Sequence, residues 1–247
     1  MKKVGIIGGV GPEASNKFCE LLIKYKSKTR DQDNIPFVHF CNPQIPDRAD
    51  FIFGRGEDPV PEMVKTCNQL KDIGMDFLVI PCNTAHYFLP EIQEQVSLPI
   101  IDIIKVLAKK IKLDNLAIKK VGVLATTASV RSELHKNHLK NFGIDVVLPN
   151  EEDQEIVSKA IYQGIKAGKK IVPRKLLTSV AEKLIEEGAE AIILGCTEIP
   201  LVLKQKNFDI KLYDPMEIVA KEIINLTSAE EKEVLAIKYV TAENRND

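Results

Sequence analysis

Three strand-end segments recur along this chain at almost one spacing, and this repeat limits the fold more than any other feature of the sequence. Val4-Gly5-Ile6-Ile7 resembles Val121-Gly122-Val123-Leu124 at an offset of 117 residues. Leu78-Val79-Ile80-Pro81-Cys82-Asn83-Thr84 resembles Ile192-Ile193-Leu194-Gly195-Cys196-Thr197-Glu198 at 114, and Ile101-Asp102-Ile103 resembles Tyr213-Asp214-Pro215 at 112. A drift of a few residues is what loop insertions produce. Short hydrophobic-glycine runs match easily by chance, but here a cysteine and its polar neighbours match together with the apolar pattern. That points to a duplicated unit.

Between these segments, short apolar runs alternate with longer helical patterns. Strands are expected at 3–8, 36–40, 76–80, 99–101, 120–124, 145–148, 189–194 and 210–213. Ala14, Phe18, Leu21, Leu22 and Tyr25 fall on one helical face, and Leu176, Leu177, Val180, Ala181, Leu184 and Ile185 form a clearer stripe. The expected fold is α/β, with two similar open parallel-sheet domains related by pseudo-twofold symmetry and the active site between them. The wiring places residues 1–102 plus 214–247 in the first domain and 103–213 in the second. Open sheets gather ligands beyond the carboxyl ends of their strands, where Cys82 and Cys196 both stand. The charged tail from Ser228 to Asp247 is helical or frayed, and no function is read in it.

Composition narrows the partners. With 34 basic against 35 acidic residues, the chain has no global field to favour nucleic acid or an anionic membrane. No apolar stretch approaches the roughly 20 residues of a membrane helix. Met1-Lys2-Lys3 precedes an apolar run too short for a signal peptide, so a cytoplasmic location is expected, with a small molecule as partner. Five scattered cysteines in a chain of this size argue against a disulfide framework. Cys19 and Cys67, within helical patterns, read as small buried hydrophobes.

The most informative segments are Pro81-Cys82-Asn83-Thr84-Ala85-His86 and Gly195-Cys196-Thr197-Glu198-Ile199-Pro200. With Gly8-Gly9-Val10-Gly11-Pro12-Glu13-Ala14-Ser15 before them, in this order and spacing, the chain resembles the aspartate/glutamate racemase family, close to its aspartate racemase branch. The resemblance covers nearly the whole chain. It implies cofactor-independent racemisation of an acidic amino acid, aspartate favoured, with a homodimer as the expected assembly. It also identifies Cys82 and Cys196 as the catalytic pair.

Racemisation removes a proton from a weakly acidic carbon and returns one to the opposite face. Two groups that differ in protonation near pH 7, a thiolate and a thiol, can do this by exchanging roles each turnover. A free thiol titrates near pH 8.5, and helix N-termini or cations lower that value. Each cysteine is expected where a strand feeds a helix. The local N–H groups, with Asn83, Thr84 and Thr197, would hold the substrate α-carboxylate and spread carbanion charge. The chemistry requires neither pyridoxal nor a metal. His86, four residues after Cys82, suggests half of a zinc site, but no third ligand follows. His39, His135 and His138 carry no motif.

The resemblance also implies that Arg48 binds a substrate carboxylate, a task suited to a guanidinium. Lys166, 30 residues before Cys196, matches a lysine that holds the side-chain carboxylate. Glu198 stands where glutamate racemases carry histidine, which implies a role in tuning Cys196; a solvated glutamate at a helix start is the plainer alternative. Asp47 either supports proton exchange at a catalytic cysteine or pairs with Arg48. Val10, in the Gly9-Val10-Gly11 loop, and Thr126 and Thr127, in the corresponding loop of the second half, would line the cleft. The threonines would either bond the substrate or cap the next helix.

Two other enzyme classes compete. Gly9-Val10-Gly11-Pro12-Glu13-Ala14 fits a dinucleotide-binding fingerprint, but the second strand ends in Cys41-Asn42 rather than in the acid an oxidoreductase of that type needs. Cysteine-dependent isomerases of small diacids, in the same superfamily, also use paired thiols. A two-lobed binding protein shares the symmetry, but its secreted forms need an export signal.

Overall fold

The computed structural model describes residues 1–26, 29–115 and 117–227. Every residue of β1 (Val4–Gly8) is buried, the pattern of a parallel strand covered on both faces. Pro12 then opens α1 (Pro12–Tyr25), where its missing N–H leaves no hydrogen bond unmade. Ala14, Phe18 and Leu22 bury the inner face of α1 with Ser15 and Cys19; Leu21 and Tyr25 stay half-buried.

The first half continues through β2 (Phe37–Cys41), α2 (Arg48–Ile52), α3 (Val60–Asp72), β3 (Phe77–Val79), α4 (Leu89–Gln95), β4 (Ile100–Ile101) and α5 (Ile103–Asp114). Its four strands run parallel in the order β2-β1-β3-β4. The second half holds β5 (Lys120–Leu124), α6 (Thr127–Arg131), α7 (Leu134–Lys140), β6 (Asp145–Val147), α8 (Glu151–Lys159), α9 (Ile171–Glu186), β7 (Ala191–Leu194), β8 (Lys211–Tyr213) and α10 (Pro215–Leu226). Its sheet runs β6-β5-β7-β8, also parallel, which is the same order strand for strand. All eight expected strands form, several of them a residue or two shorter. Pro36 and Pro99, which lack an N–H for the ladder, stay outside.

The repeat has a physical basis at three matched places. A Cβ on Gly5 would sit 2.5 Å from the Leu78 side chain and 3.2 Å from that of Leu70; on Gly122 it would sit 2.5 Å from Ile192 and 3.1 Å from Leu184. In each half a helix therefore presses on the central strand where only glycine fits. At the strand starts, the Asp76 carboxylate accepts the Lys3 N–H, and that of Glu190 accepts the Lys119 and Lys120 N–H groups. At the far ends, Asp102 accepts from Ile104 and Lys105, as Asp214 does from Met216 and Glu217, so each caps the helix that follows.

Contacts divide the chain into Met1–Val106 with the segment from Val219, and Leu107–Ile218. The changes of unit fall inside α5 and α10. Leu107, Ala108 and Ile111 of α5 join Val121, Val123, Ile193 and Tyr213 in one buried cluster. On the other face of this sheet, Leu177, Val180, Ala181 and Leu184 of α9 pack against Leu124, Ile192 and Leu194. Each fully buried leucine or valine there contributes roughly 1.5–3 kcal/mol. No helix of the described residues is long and apolar enough to cross a membrane. The tail from Ser228 to Asp247 lies outside the described residues.

Candidate active site

In the first unit β3 ends at Val79, and the chain turns through Pro81 into a 3-10 turn, Thr84–Phe88. Cys82 stands just ahead of this turn, 8% exposed, with its N–H bonded to the Ile80 carbonyl at 2.8 Å. The turn runs straight into α4, so the helix expected after Cys82 forms, with a 3-10 opening. His86 fixes the turn. Its Nε2 accepts the Ile103 N–H at 3.2 Å, so Nδ1 carries the proton and donates to the Cys82 carbonyl at 2.9 Å. Both ring nitrogens therefore serve the backbone, and the ring's work is to tie the cysteine turn to the start of α5. Among the described residues, no group of three or more histidine, cysteine, aspartate or glutamate side chains is placed to hold a metal ion.

Asn83 is 2% exposed, yet among the described residues neither its Oδ1 nor its Nδ2 has a hydrogen-bond partner. A buried amide left unpaired at both ends is destabilising by about 1–3 kcal/mol per group, so this position suits a ligand that supplies both partners. Phe51 of α2 lies 5.7 Å, centroid to centroid, from Phe88 and so docks α2 against the cysteine turn. Arg48 opens α2 with its guanidinium turned back: one terminal nitrogen donates to the Ile45 and Pro46 carbonyls at 3.2 and 2.9 Å, while Nε is buried without a partner among the described residues.

Two expectations change here. Asp47 is exposed and caps α2, accepting the Ala49 and Asp50 N–H groups, instead of pairing with Arg48. The Val10 side chain is core, 2% exposed among Ile7, Ile45 and Met63, which leaves only its backbone to face a ligand. The neighbouring Gly9 has φ +88° and backs onto the Asn42 backbone, so no other residue fits there. Cys19 and Cys67 are buried in helices, and burial raises their thiols to about 11 and about 12. Both stay protonated at neutral pH.

In the second unit β7 delivers Cys196, Thr197 and Glu198, all less than 9% exposed, into a 3-10 turn at Ile199–Leu201. The Cys196 thiol donates to Glu198 Oε2 at 3.0 Å, and the Thr197 hydroxyl donates to the same oxygen at 3.0 Å. Lys166 Nζ lies 3.6 Å from Glu198 Oε1 and 5.0 Å from the Tyr162 ring centroid. Lys166 reaches this position because α8 runs into a π turn, Ala160–Gly164, and then a 3-10 turn. Such turns recur at functional sites.

The Cys196 thiol is pushed well above its ordinary value, first by burial and then by the Glu198 charge and hydrogen bond. The Glu198 N–H and Lys166 pull the other way without prevailing. The lowering expected from helix ends and cations is thus present but outweighed by burial and the Glu198 carboxylate. The thiol is held in a hydrogen bond to the Glu198 carboxylate.

At the β5 exit Thr126 caps α6: its hydroxyl accepts the Ser129 N–H at 3.3 Å and donates to Ser129 Oγ. Thr127 Oγ1 lies 2.6 Å from Ser158 Oγ and accepts from Gln154 Nε2 at 3.3 Å. Neither Gln154 nor Ser158 stood out in the sequence. The signal was there: after the Asn150 cap, a glutamine occupies the buried face of α8 with Val157, and a serine follows at i+4.

Two parallel sheets of one topology, each leading its third strand into a buried thiol flanked by polar side chains, define a thiol-bearing α/β protein with a duplicated site. The sequence pattern of the Asp/Glu/Hydantoin racemase family matches residues 7–223, and the chain belongs to that family. The activity this membership supports is that of an amino-acid racemase, which sets aside the dinucleotide-binding alternative. The aspartate racemase of Picrophilus torridus superposes with a TM-score of 0.82 at 30% identity, covering 96% of this chain and 99% of that one. An aspartate racemase homologue from Pyrococcus horikoshii OT3 gives 0.78 at 26%, covering 93% and 100%. The broad specificity amino-acid racemase RacX of Bacillus subtilis is 28% identical over 227 residues, 90% of this chain and 96% of its own length.

Proposed function

We propose that the chain racemises an acidic amino acid, aspartate before glutamate, without a cofactor, through a thiolate and a thiol supplied by Cys82 and Cys196. One thiolate takes the α-proton, the other thiol returns a proton, and the reverse reaction exchanges their roles. The observation that carries this reading is the thiol–carboxylate pair of Cys196 and Glu198, at 3.0 Å. The carboxylate takes the thiol proton before the step in which Cys196 acts as base and, as the neutral acid, returns it afterwards; the thiolate left in a dry site is a strong base. Asn83, Thr84 and Thr197 bind the α-carboxylate, and Arg48 and Lys166 bind carboxylate charge.

The preference for aspartate rests on the likeness to the Picrophilus enzyme and on Lys166; the likeness to RacX points to a wider range. The test is incubation of the purified chain with L-aspartate, L-glutamate and a neutral L-amino acid in deuterated buffer, with chelator and no added cofactor. Deuterium at the α-carbon with formation of the D-isomer, fastest for aspartate, is the expected result. No exchange with any of the three overturns the reading. A homodimer belongs to the same proposal, and sedimentation velocity tests it.

A further inference from the structure

The polar cluster at the β5 exit holds one donor more than it uses. The Gln154 amide has only one workable orientation, because its nitrogen lies 3.0 Å from the Ala125 carbonyl and must donate to it. The second amide proton goes to Thr127 Oγ1 at 3.3 Å, with Ser158 Oγ at 3.5 Å. Thr127 and Ser158 then bring two hydroxyl protons to a pair of oxygens 2.6 Å apart, and only one proton fits between them. Among the described residues, neither hydroxyl bonds a helix carbonyl. One hydroxyl proton is therefore left over on a half-buried pair, and the Gln154 amide nitrogen, which donates to this pair, cannot accept it.

Gln154 Oε1, meanwhile, is buried without a partner among the described residues. A buried acceptor left unmet is destabilising, and an apolar residue of the same size would avoid it; packing alone does not explain a glutamine here. The same α8 carries Lys166 just beyond its π turn, so one element supports both polar clusters of this unit.

We propose that Thr127 and Ser158 form a hydroxyl relay that donates to a substrate carboxylate, and that Gln154 is the positioning residue that points the relay outward. This rests on the racemase reading above and adds two residues to its binding site. Gln154→Glu reverses the polarity, because a carboxylate accepts where the amide donated.

The experiment measures steady-state racemisation of L-aspartate by the full chain carrying Ser158→Ala, Ser158→Thr, Gln154→Leu or Gln154→Glu, with thermal unfolding of each. Loss of a hydrogen bond to a charged group should raise KM roughly 10- to 100-fold in Ser158→Ala and Gln154→Leu and leave kcat within about threefold. Gln154→Glu should be worse than Gln154→Leu, and Ser158→Thr should restore KM. The Tm should move by less than about 4 °C. Unchanged KM with a lowered Tm overturns the relay and makes the cluster a structural one. Failure of the unaltered protein to racemise any amino acid removes the racemase reading and the relay together, whereas an active parent with indifferent variants removes the relay alone.

Discussion

Glu198→Gln sets two consequences of one charge against each other. In the parent, a thiolate at Cys196 would form 3.0 Å from Glu198 Oε2, with both residues 6% exposed. At an effective dielectric near 20, two like charges about 4 Å apart repel by about 4 kcal/mol. Lys166, 3.6 Å from the other oxygen, offsets part of this. If only a third survives, about 1.4 kcal/mol, the amide variant should hold at least about ten times more thiolate at a given pH below the thiol's own titration. Alkylation of Cys196 at pH 8, followed by mass spectrometry of its peptide, should accelerate by that factor or more. Racemisation should fall in the same variant by roughly 100- to 10,000-fold, because the group that removes and returns the thiol proton is gone. A more reactive thiol in a slower enzyme is hard to produce by general damage, which lowers activity without sensitising one cysteine. An unchanged alkylation rate at Cys196 would refute the claim that Glu198 holds the thiol proton.

Lys166→Leu should raise KM for aspartate at least about tenfold more than for a neutral amino acid, and equal losses would remove Lys166 from charge recognition. Cys82→Ser and Cys196→Ser should each cut racemisation by several orders of magnitude, with the double variant little worse; each single variant should still exchange the α-proton of one enantiomer, seen by proton NMR in deuterated buffer. Asp214, partly buried at the start of α10, has its carboxyl raised to about 6, chiefly by burial. A carboxyl raised on folding favours the protonated form, so stability is greatest below the unfolded value near 4, falls as pH rises through about 6 and stays lower above it. Asn caps a helix as well as Asp, so Asp214→Asn should exceed the parent by about 1–2 kcal/mol in urea unfolding at pH 8 and match it at pH 4.

The sequence made the sheets legible because their constraints are local and periodic. Short apolar runs closed by turn residues marked every strand, and the match of Gly5 with Gly122 reflected a real steric need against Leu78 and Ile192. Asp102 and Asp214 were readable as matched positions, though their common task as caps at the heads of α5 and α10 was not. The expected boundaries, at 102/103 and 213/214, fall four or five residues ahead of the changes of unit inside those helices. A helix's apolar stripe records that it is buried, not which sheet it packs on, and Leu107 and Ile111 look alike either way.

At the site, legibility followed from how far each group acts through its own loop. Cys82 and Cys196 stood out because strand exits and residue type both pointed to them. Glu198 stood two residues from its thiol, close enough for the sequence to raise the pairing but not to exclude solvent from it. Asp47 and Thr126 were ambiguous in the sequence because the side chains that cap helices are also those that bind substrates; both are caps here. His86 had the spacing of half a metal site but no third ligand in the sequence, and only the Ile103 N–H, 17 residues on, fixed its tautomer and its backbone role. Gln154 shows the limit most clearly. Its amide orientation depends on the Ala125 carbonyl, 29 residues back along the chain, and that one long-range bond decides whether Thr127 and Ser158 have a proton to give.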